Sequence, residues 1–501
     1  MSKRYVIGID GGTESLRAGV FDLSGNPISF AATQYSTQFP ASGWAEQNPD
    51  DWWRALVRSV KQAVQNASIK SSDILGLAVD TTCCSVLMLD KNGAPIRPAL
   101  IWMDVRSDAE AAKILAAGDI ALSVNSNGNG PVSAEWMLPK ALWLKTNEPR
   151  NWDKAQTVCE YQDYINYRLT GRMCSSVNNV GVRWHHQGKE GRPLGLLHAA
   201  GLSDLADKWP EDTLELGEVV SHLHPQVAEE LGLSADVPVA QGGADAFIGM
   251  IGVGVTKPGA LAFITGSSHL HLGLSDKPFH APGVWGTYLD ALIPGLHVVE
   301  GGQTSTGSVV NWFKRTLAAN NSYRELDAEA MLLPSGSDGV IALDHFQGNR
   351  TPYTDALSRG AFIGLSLGHS RAHMHRALME SVAMGSRLIL ETMQKGGFEP
   401  HDIVLSGGVT NSPLWLQIHA DIIGKPLHLT EVANAPALGC AILASVGAGV
   451  YSDIEEAAMA MVRRTRTIKP SKYSSEYDDP YATYKSLYGA LKSVRQPGRN
   501  R

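Results

Sequence analysis

The 501-residue chain reads as an α/β protein of two related domains with a ligand cleft between them. Its length exceeds what one ordinary hydrophobic core serves, which favours two domains or two halves of one duplicated plan. Near the start, VIGIDGGTESLRAGVFD (residues 6–22) alternates apolar and polar residues, breaks at Asp10-Gly11-Gly12-Thr13 and alternates again, as a β-hairpin does. From residue 260, ALAFITGSSHLHLGLS repeats that layout with Gly266-Ser267-Ser268 at its tip. Two similar hairpins, each heading one half, point to duplication, and a phosphate chain between them could be gripped from both sides.

The first half opens as a β-meander: strand, glycine tip, strand, a turn at Ser24-Gly25-Asn26 and a third strand. A helix then starts at Asn48 as N-cap, with Pro49 in the first position and Asp50 and Asp51 in the first turn. Trp53, Leu56, Val57, Val60 and Val64 give it an apolar face. Ile74 to Val79 reads as a buried strand and Ser85 to Leu89 as its hairpin partner, with a turn at Lys91-Asn92-Gly93. Residues 105–230 are mixed and helix-rich, with a small-polar loop at 123–130. In the second half, Ile403 to Leu405 reads as a strand, Ser406-Gly407-Gly408 as a turn, and a helix enters near Asn411 and Ser412. Ala435 to Val450 is too short and too broken by Pro436, Gly439, Gly447 and Gly449 for a membrane span, so it reads as a buried helix with its caps. Beyond Pro470 come a polar linker, an amphipathic helix and a frayed Arg495 to Arg501.

The tips carry chemistry as well as turns. Successive backbone N–H groups at a glycine turn form an anion-binding concavity, to which Thr13 and Ser15 add hydroxyls and Arg17 adds charge. Asp10 would repel phosphate directly, so its place there makes sense through a bridging Mg2+. The plainer reading of one such tip is a hairpin whose glycines supply positive φ. The Ser406-Gly407-Gly408 turn before a helix suits the nucleotide end of a ligand, or serves only as a tight strand–helix connection. Neither a G-x-x-x-x-G-K-[ST] nor a G-x-G-x-x-G following a strand occurs. A net charge of −7, with 44% apolar and 19% charged residues, suggests a soluble globular chain with no nucleic-acid or anionic-membrane partner. Five cysteines without metal-like or disulfide-like spacing, and no secretion signal before Tyr5, lead to an expectation of reduced thiols in the cytoplasm.

The ordered set GIDGGTESLRAGVFD, GWAEQNPDDWW, IWMDVRSDAEA, QGGADAFIGMIG, EGGQTSTGS, GLSLGHSRAHMHRALMESVAMG and LSGGVTNSPLWLQIHADIIGKPL resembles the FGGY family of carbohydrate kinases over nearly the whole chain. The resemblance implies the actin-like fold of sugar kinases, Hsp70 and actin, whose two ribonuclease H-like domains close on ATP. On this chain that gives an N-terminal domain of residues 1–253, a C-terminal domain of 254–501 and a candidate hinge at Thr256-Lys257-Pro258-Gly259. It implies ATP and Mg2+, with Asp10, Gly11, Gly12 and Thr13 in the first phosphate loop and Gly266, Ser267 and Ser268 in the second. Gly407, Gly408 and Asn411 match the adenosine-binding turn. Asp245 matches the catalytic carboxylate, which accepts a sugar hydroxyl proton and approaches Mg2+ through water; read without the family, it would cap the next helix.

The segments VDTTCCSV, VSAEW and VVEGGQ resemble the ribulokinase branch, which implies a ketopentose such as ribulose and sugar contacts from Glu300 and Arg183. Arg183 stands where those relatives carry Lys, a change in shape and in donor count. Thr82, Cys83, Trp102, Glu135 and Trp136 are candidates for the same pocket, the tryptophans also reading as core. Xylulose, a tetrulose or a polyol such as erythritol, ribitol or glycerol is the alternative substrate, and a homodimer is common among relatives. Two other classes are weighed: a non-catalytic sugar or nucleotide sensor, and a hydrolase using Ser366 of the G-x-S-x-G at 364–368. The sixteen histidines include no H-E-x-x-H, so they read as core or surface residues, and Cys83-Cys84 as small buried ones.

Overall fold

The computed structural model describes residues 4–125, 130–188, 191–432 and 434–492. Two sheets dominate it. The first runs in the order Val219–His222, Pro238–Ala240, Ile74–Thr81, Tyr5–Gly11, Ser15–Asp22 and Pro27–Gln34. The last three strands form the antiparallel meander, Tyr5–Gly11 lies parallel to Ile74–Thr81, and that strand lies parallel to Pro238–Ala240. The second sheet repeats the scheme. Ala260–Thr265, His269–Ser275 and His297–Gln303 are antiparallel; Ala260–Thr265 runs parallel to Asp402–Gly407, and that strand to Leu427–Thr430. Antiparallel edges, Val219–His222 and Arg464–Ile468, close the corresponding sides, and Gly286–Leu289 is an extra strand on the second sheet. The duplication visible at two tips thus extends over six strands of each half.

Local signals hold where they are strong. The helix spans Pro49–Ala67, and the Asn48 side chain accepts from the Asp50 amide. Its buried face is Trp52, Trp53, Leu56 and Val60, with Val57 and Val64 only partly covered. Ala435–Gly447 is the expected buried helix, and no helix among the described residues is long and apolar enough to cross a membrane. Though it belongs to the second half of the chain, it packs on the first sheet: a Cβ at Gly8 would lie 1.9 Å from the Ala437 carbonyl oxygen. The helix Asp245–Gly252 crosses it closely as well, since Cβ atoms at Gly252 and Gly439 would fall 1.8 and 2.2 Å from the carbonyl oxygens of Ala435 and Ile248. Backbone contact of this kind admits only glycine.

The expected pairing of residues 85–89 with the Ile74 strand is corrected. Val86–Leu89 pairs antiparallel with Thr157–Glu160 in a separate four-stranded sheet. The turn at Lys91-Asn92-Gly93 does form, but it returns the chain to Ile96, whose amide donates to Met88. Ile74–Thr81 has both edges occupied, by Tyr5–Gly11 and by Pro238–Ala240, so it offers no edge to a hairpin partner. The terminal helix Asp478–Lys492 buries Tyr481, Tyr484 and Leu487. Half of the 123–130 loop, at 126–129, and Arg495 to Arg501 lie outside the described residues.

Candidate active site

The first tip is held by its carbonyls. Gly11 O accepts from the Thr82 amide at 3.0 Å, Gly12 O from the Tyr35 hydroxyl, Thr13 O from Gln47 Nε2 at 2.7 Å and Glu14 O from the Tyr35 amide at 3.1 Å. No acceptor among the described residues takes the amides of Gly12, Thr13 or Glu14. Four engaged carbonyls and three free amides in succession are what an anion-binding turn requires. Trp102, expected in the sugar pocket, donates its indole N–H to Thr13 Oγ1 at 3.0 Å and so also braces this loop. Ser15 begins the returning strand opposite Gln34, and Arg17, half exposed, reaches Asp10 at 3.3 Å.

Strand register brings acids together at the end of this sheet. Asp10 lies directly across from Asp80 on the parallel neighbour, and Thr81 bridges to Ala244, the residue before Asp245. Burial raises all three carboxyls above their ordinary range. Arg17 pulls Asp10 back in part, whereas Asp80 is pushed further by the charges of Asp10 and Asp245. Asp245 reaches about 7, through burial first and the charge of Asp10 second, with the Ala246 amide partly offsetting them by donating to Oδ1 at 2.7 Å. A carboxyl titrating near neutrality at a helix start can take and release a proton. Sequence reasoning missed Asp80, although its alignment opposite Asp10 follows from two parallel strands of matched length. Cys440, on the crossing helix, donates its thiol to Asp80 Oδ2 at 3.0 Å.

The second tip is tied in the same manner. Gly266 O accepts from the Gly307 amide, Ser267 O from the amides of Thr306 and Ser308, and Ser268 O from the Gly266 amide, all at 2.9–3.1 Å. Gly266 and Ser267 join Gly408 and Asn411 in lining one cavity of about 1110 Å³, whose wall also includes Asn311, Tyr323 and Asp327. The last three were not picked out from the sequence; they come from two helices, Gly307–Leu317 and Tyr323–Met331, well before the turn in the chain. Gly407 faces a different cavity and serves by its backbone: at φ 96°, a Cβ there would fall 1.9 Å from Thr265 O. Ser412 caps the following helix Pro413–Ile423 by accepting from the Trp415 amide, and its hydroxyl donates to Asp327.

A cluster of aromatic side chains surrounds a buried ion pair. Arg183 and Glu300, each expected to meet a sugar, meet each other as a buried bidentate pair: Nη2 to Oε1 is 2.9 Å and Nη1 to Oε2 is 3.1 Å. The Tyr288 hydroxyl donates to Glu300 Oε2 at 3.0 Å, and Arg350 approaches Oε1 at 3.9 Å. Burial pushes Glu300 up, but Arg183 and Arg350 outweigh it and hold the carboxyl below its usual range. Phe247 and Trp136 flank the Arg183 guanidinium, Trp285 stands edge-on to Trp136, and Arg350 stacks on Trp285 at 4.0 Å. Thr82 is buried, Cys83 packs against the hydrophobic clusters that contain Phe247, Tyr288 and Trp136, and Glu135 is half-buried next to Trp136. Tyr288, Trp285 and Arg350 were also missed, for no local pattern marks them.

Family comparison decides what this arrangement is. The N-terminal domain of the FGGY family of carbohydrate kinases matches residues 5–252 and its C-terminal domain residues 261–448. The chain belongs to the FGGY family of carbohydrate kinases. It is 31% identical to a ribulokinase of Halalkalibacterium halodurans, over 97% of this chain and 95% of that one. It is 30% identical to the human FGGY carbohydrate kinase domain-containing protein, over 95% of this chain and 94% of the relative. The structure of a xylulose kinase from Rhodospirillum rubrum superposes with a TM-score of 0.85 at 28% identity, covering 98% of this chain and 99% of that one. The two-domain, actin-like FGGY fold and the sugar kinase class are therefore established for this enzyme.

Other motifs of this FGGY kinase have structural explanations. Ser366 lies exposed in a loop before the long helix Arg371–Lys395; its amide donates to His369 Nδ1 at 2.8 Å and its hydroxyl accepts from the Gly368 amide. That is a turn stabilised by its own side chains rather than a nucleophile on a strand–helix elbow. His269, His271 and His419 are buried among Phe263 and Trp415, and burial holds all three well below the usual imidazole range. Among the described residues no three His, Cys, Asp or Glu side chains are grouped to hold a metal by themselves.

Proposed function

We propose that this enzyme transfers the γ-phosphoryl group of ATP to a hydroxyl of a small ketopentose, ribulose first. The observation that carries the reading is Asp245: a carboxyl at a helix start, titrating near 7 and coupled to the acid of a free-amide phosphate loop. Asp245 takes the hydroxyl proton as that oxygen attacks the γ-phosphorus; the bond to the β-phosphate bridging oxygen breaks and ADP leaves. The amides of Gly12, Thr13 and Glu14, with Gly266, Ser267 and Ser268 from the other half, hold the phosphate oxygens. Gly408 and Asn411 receive the adenosine in the cavity they line, with Gly407 fixing their turn.

The residues fit a hydrated Mg2+. Asp10 and Asp80 face each other with raised carboxyls, and Asp80 Oδ1 meets no donor among the described residues. Asp10 would hold the ion directly or through water, and Asp245 through water, the shell being completed by phosphate oxygens. Bound there, Mg2+ would neutralise charge on the transferring phosphoryl group. Thr256-Lys257-Pro258-Gly259, at the start of the domain 254–501, is the proposed hinge for closure, which excludes water from the γ-phosphate.

The pentulose assignment rests on the Arg183–Glu300–Tyr288 pocket floor and on ribulokinase and xylulose kinase relatives at about 30% identity. The test is ADP release from Mg-ATP with D- and L-ribulose, D- and L-xylulose, erythrulose, ribitol, erythritol and glycerol, repeated with Asp245→Asn. A preference for one ketopentose that disappears in the variant supports the reading. Activity confined to tetroses or polyols retains the kinase chemistry and overturns the pentulose.

A further inference from the structure

Cys83 and Cys84 lie side by side in the turn after the Ile74–Thr81 strand, with their Sγ atoms 3.8 Å apart. Cys84 has a φ of 62°, in the left-handed region that residues with a Cβ seldom adopt. Its carbonyl is gripped by the buried Lys140 ammonium at 2.8 Å, which also holds the Ile101 carbonyl at 2.6 Å. The conformation that turns the two thiols toward each other is therefore imposed by the surrounding structure. Cys83 is half-buried and packs against the clusters that contain Phe247 and Tyr288 on one side and Trp136 on the other. The Arg183 guanidinium interacts electrostatically with both sulfurs. The remaining cysteines, Cys159, Cys174 and Cys440, are fully buried.

We propose that Cys83–Cys84 is a two-electron oxidation site, a dithiol that a peroxide closes to a disulfide, and that closure withdraws Cys83 from the sugar pocket wall. The second clause rests on the pocket assigned above; the first does not. The Cys83 thiolate attacks one peroxide oxygen, so that an S–O bond forms, the O–O bond breaks and water leaves after protonation. The Cys84 thiolate then attacks the sulfenic sulfur, an S–S bond forms, the S–O bond breaks and hydroxide leaves as water. Two thiols and one hydrogen peroxide thus become one disulfide and two waters. The more deeply buried Cys84, whose thiol burial pushes well up, is the resolving partner. Adjacent Cα atoms lie about 3.8 Å apart, below the usual disulfide separation of about 4.4–6.8 Å, so the bridge reopens readily with thiol reductants.

The experiment treats the reduced, full-length protein with hydrogen peroxide, alkylates the remaining thiols, and follows intact mass, the peptide carrying residues 83 and 84, and ADP release. The expected result is a loss of about 2 Da with two fewer alkylatable thiols, assigned to that peptide and reversed by dithiothreitol. Phosphorylation falls in step and returns on reduction, and saturating sugar slows the oxidation. In Cys84→Ala, compared with its own untreated control, the mass loss and the reversible inactivation both disappear. A mass gain of sulfinic acid at Cys83, a bridge between other cysteines, or no reaction overturns the site. A clean bridge with unchanged turnover overturns its effect on the pocket. The mass readout needs no substrate, so its failure is distinct from failure of the ketopentose reading.

Discussion

The two glycine tips are built on one topology and carry opposite chemistry. In the first half, Asp10 precedes the tip and faces Asp80 across a parallel register; in the second, Thr265 precedes the tip and faces Gly407. Thr265 donates its hydroxyl to Ser406 O at 2.7 Å and accepts from the Val409 amide, stitching the turn beside it into place. Asp10 and Asp80 instead are both raised in proton affinity by burial, and the charge of Asp10 pushes Asp80 further. The two tips share a strand scheme, but two carboxyls stand in the first half where a hydroxyl and a hydrogen stand in the second.

The largest expected effect lies in the acidic half. Asp245→Asn removes the proton acceptor, so kcat in the ADP-release assay should fall by about 10²–10⁴-fold while ATP affinity changes little. If turnover survives, the acidic half is not where the proton goes. Next is the pocket floor: Arg183→Lys cannot reproduce the two parallel bonds to Glu300, and leaving a buried partner short costs about 3–5 kcal/mol in comparable pairs. A sugar KM raised by about tenfold or more, with KM for ATP unchanged, is expected from steady-state kinetics. Gly407→Ala tests the neutral half, since its Cβ would strike Thr265 O. A positive φ and this contact should cost about 1–3 kcal/mol of stability and weaken nucleotide binding by calorimetry, while sugar binding persists.

The pH response is a finer probe. Asp245 acts as its carboxylate, and its midpoint is about 7, so kcat/KM should rise with pH through that value and level off above it. In the metal-free protein, Asp10→Asn removes one charge that raises Asp245, so carbon NMR should find the Asp245 titration at lower pH. The smallest effect is on stability. A carboxyl raised by folding favours the protonated folded state; the cost is absent below its unfolded range and appears as pH rises through the folded one. Asp80→Asn should therefore raise Tm by about 1–2 °C at pH 8, a gain that fades toward pH 4, where the native carboxyl is also neutral.

Sequence alone determined whatever local order or a contiguous motif encodes. Alternation and glycine placement marked both tips, Asn48-Pro49 marked a helix start, and the family motifs led to Asp10, Asp245, Gly266 and Gly408 before any contact was known. Tertiary structure alone decided which groups complete each other across the chain. Arg183 and Glu300 are 117 residues apart and find each other rather than leaving both heads for a sugar. Trp102 and Thr13 are 89 apart, and their bond ties the tryptophan to the first glycine tip. Val86–Leu89 was misassigned because pairing depends on a vacant strand edge, a property of the assembled sheet and not of the strand. Asp80 acquired its character in the same manner: a carboxyl's proton affinity is set by burial and neighbouring charge, and both appear only when distant strands align.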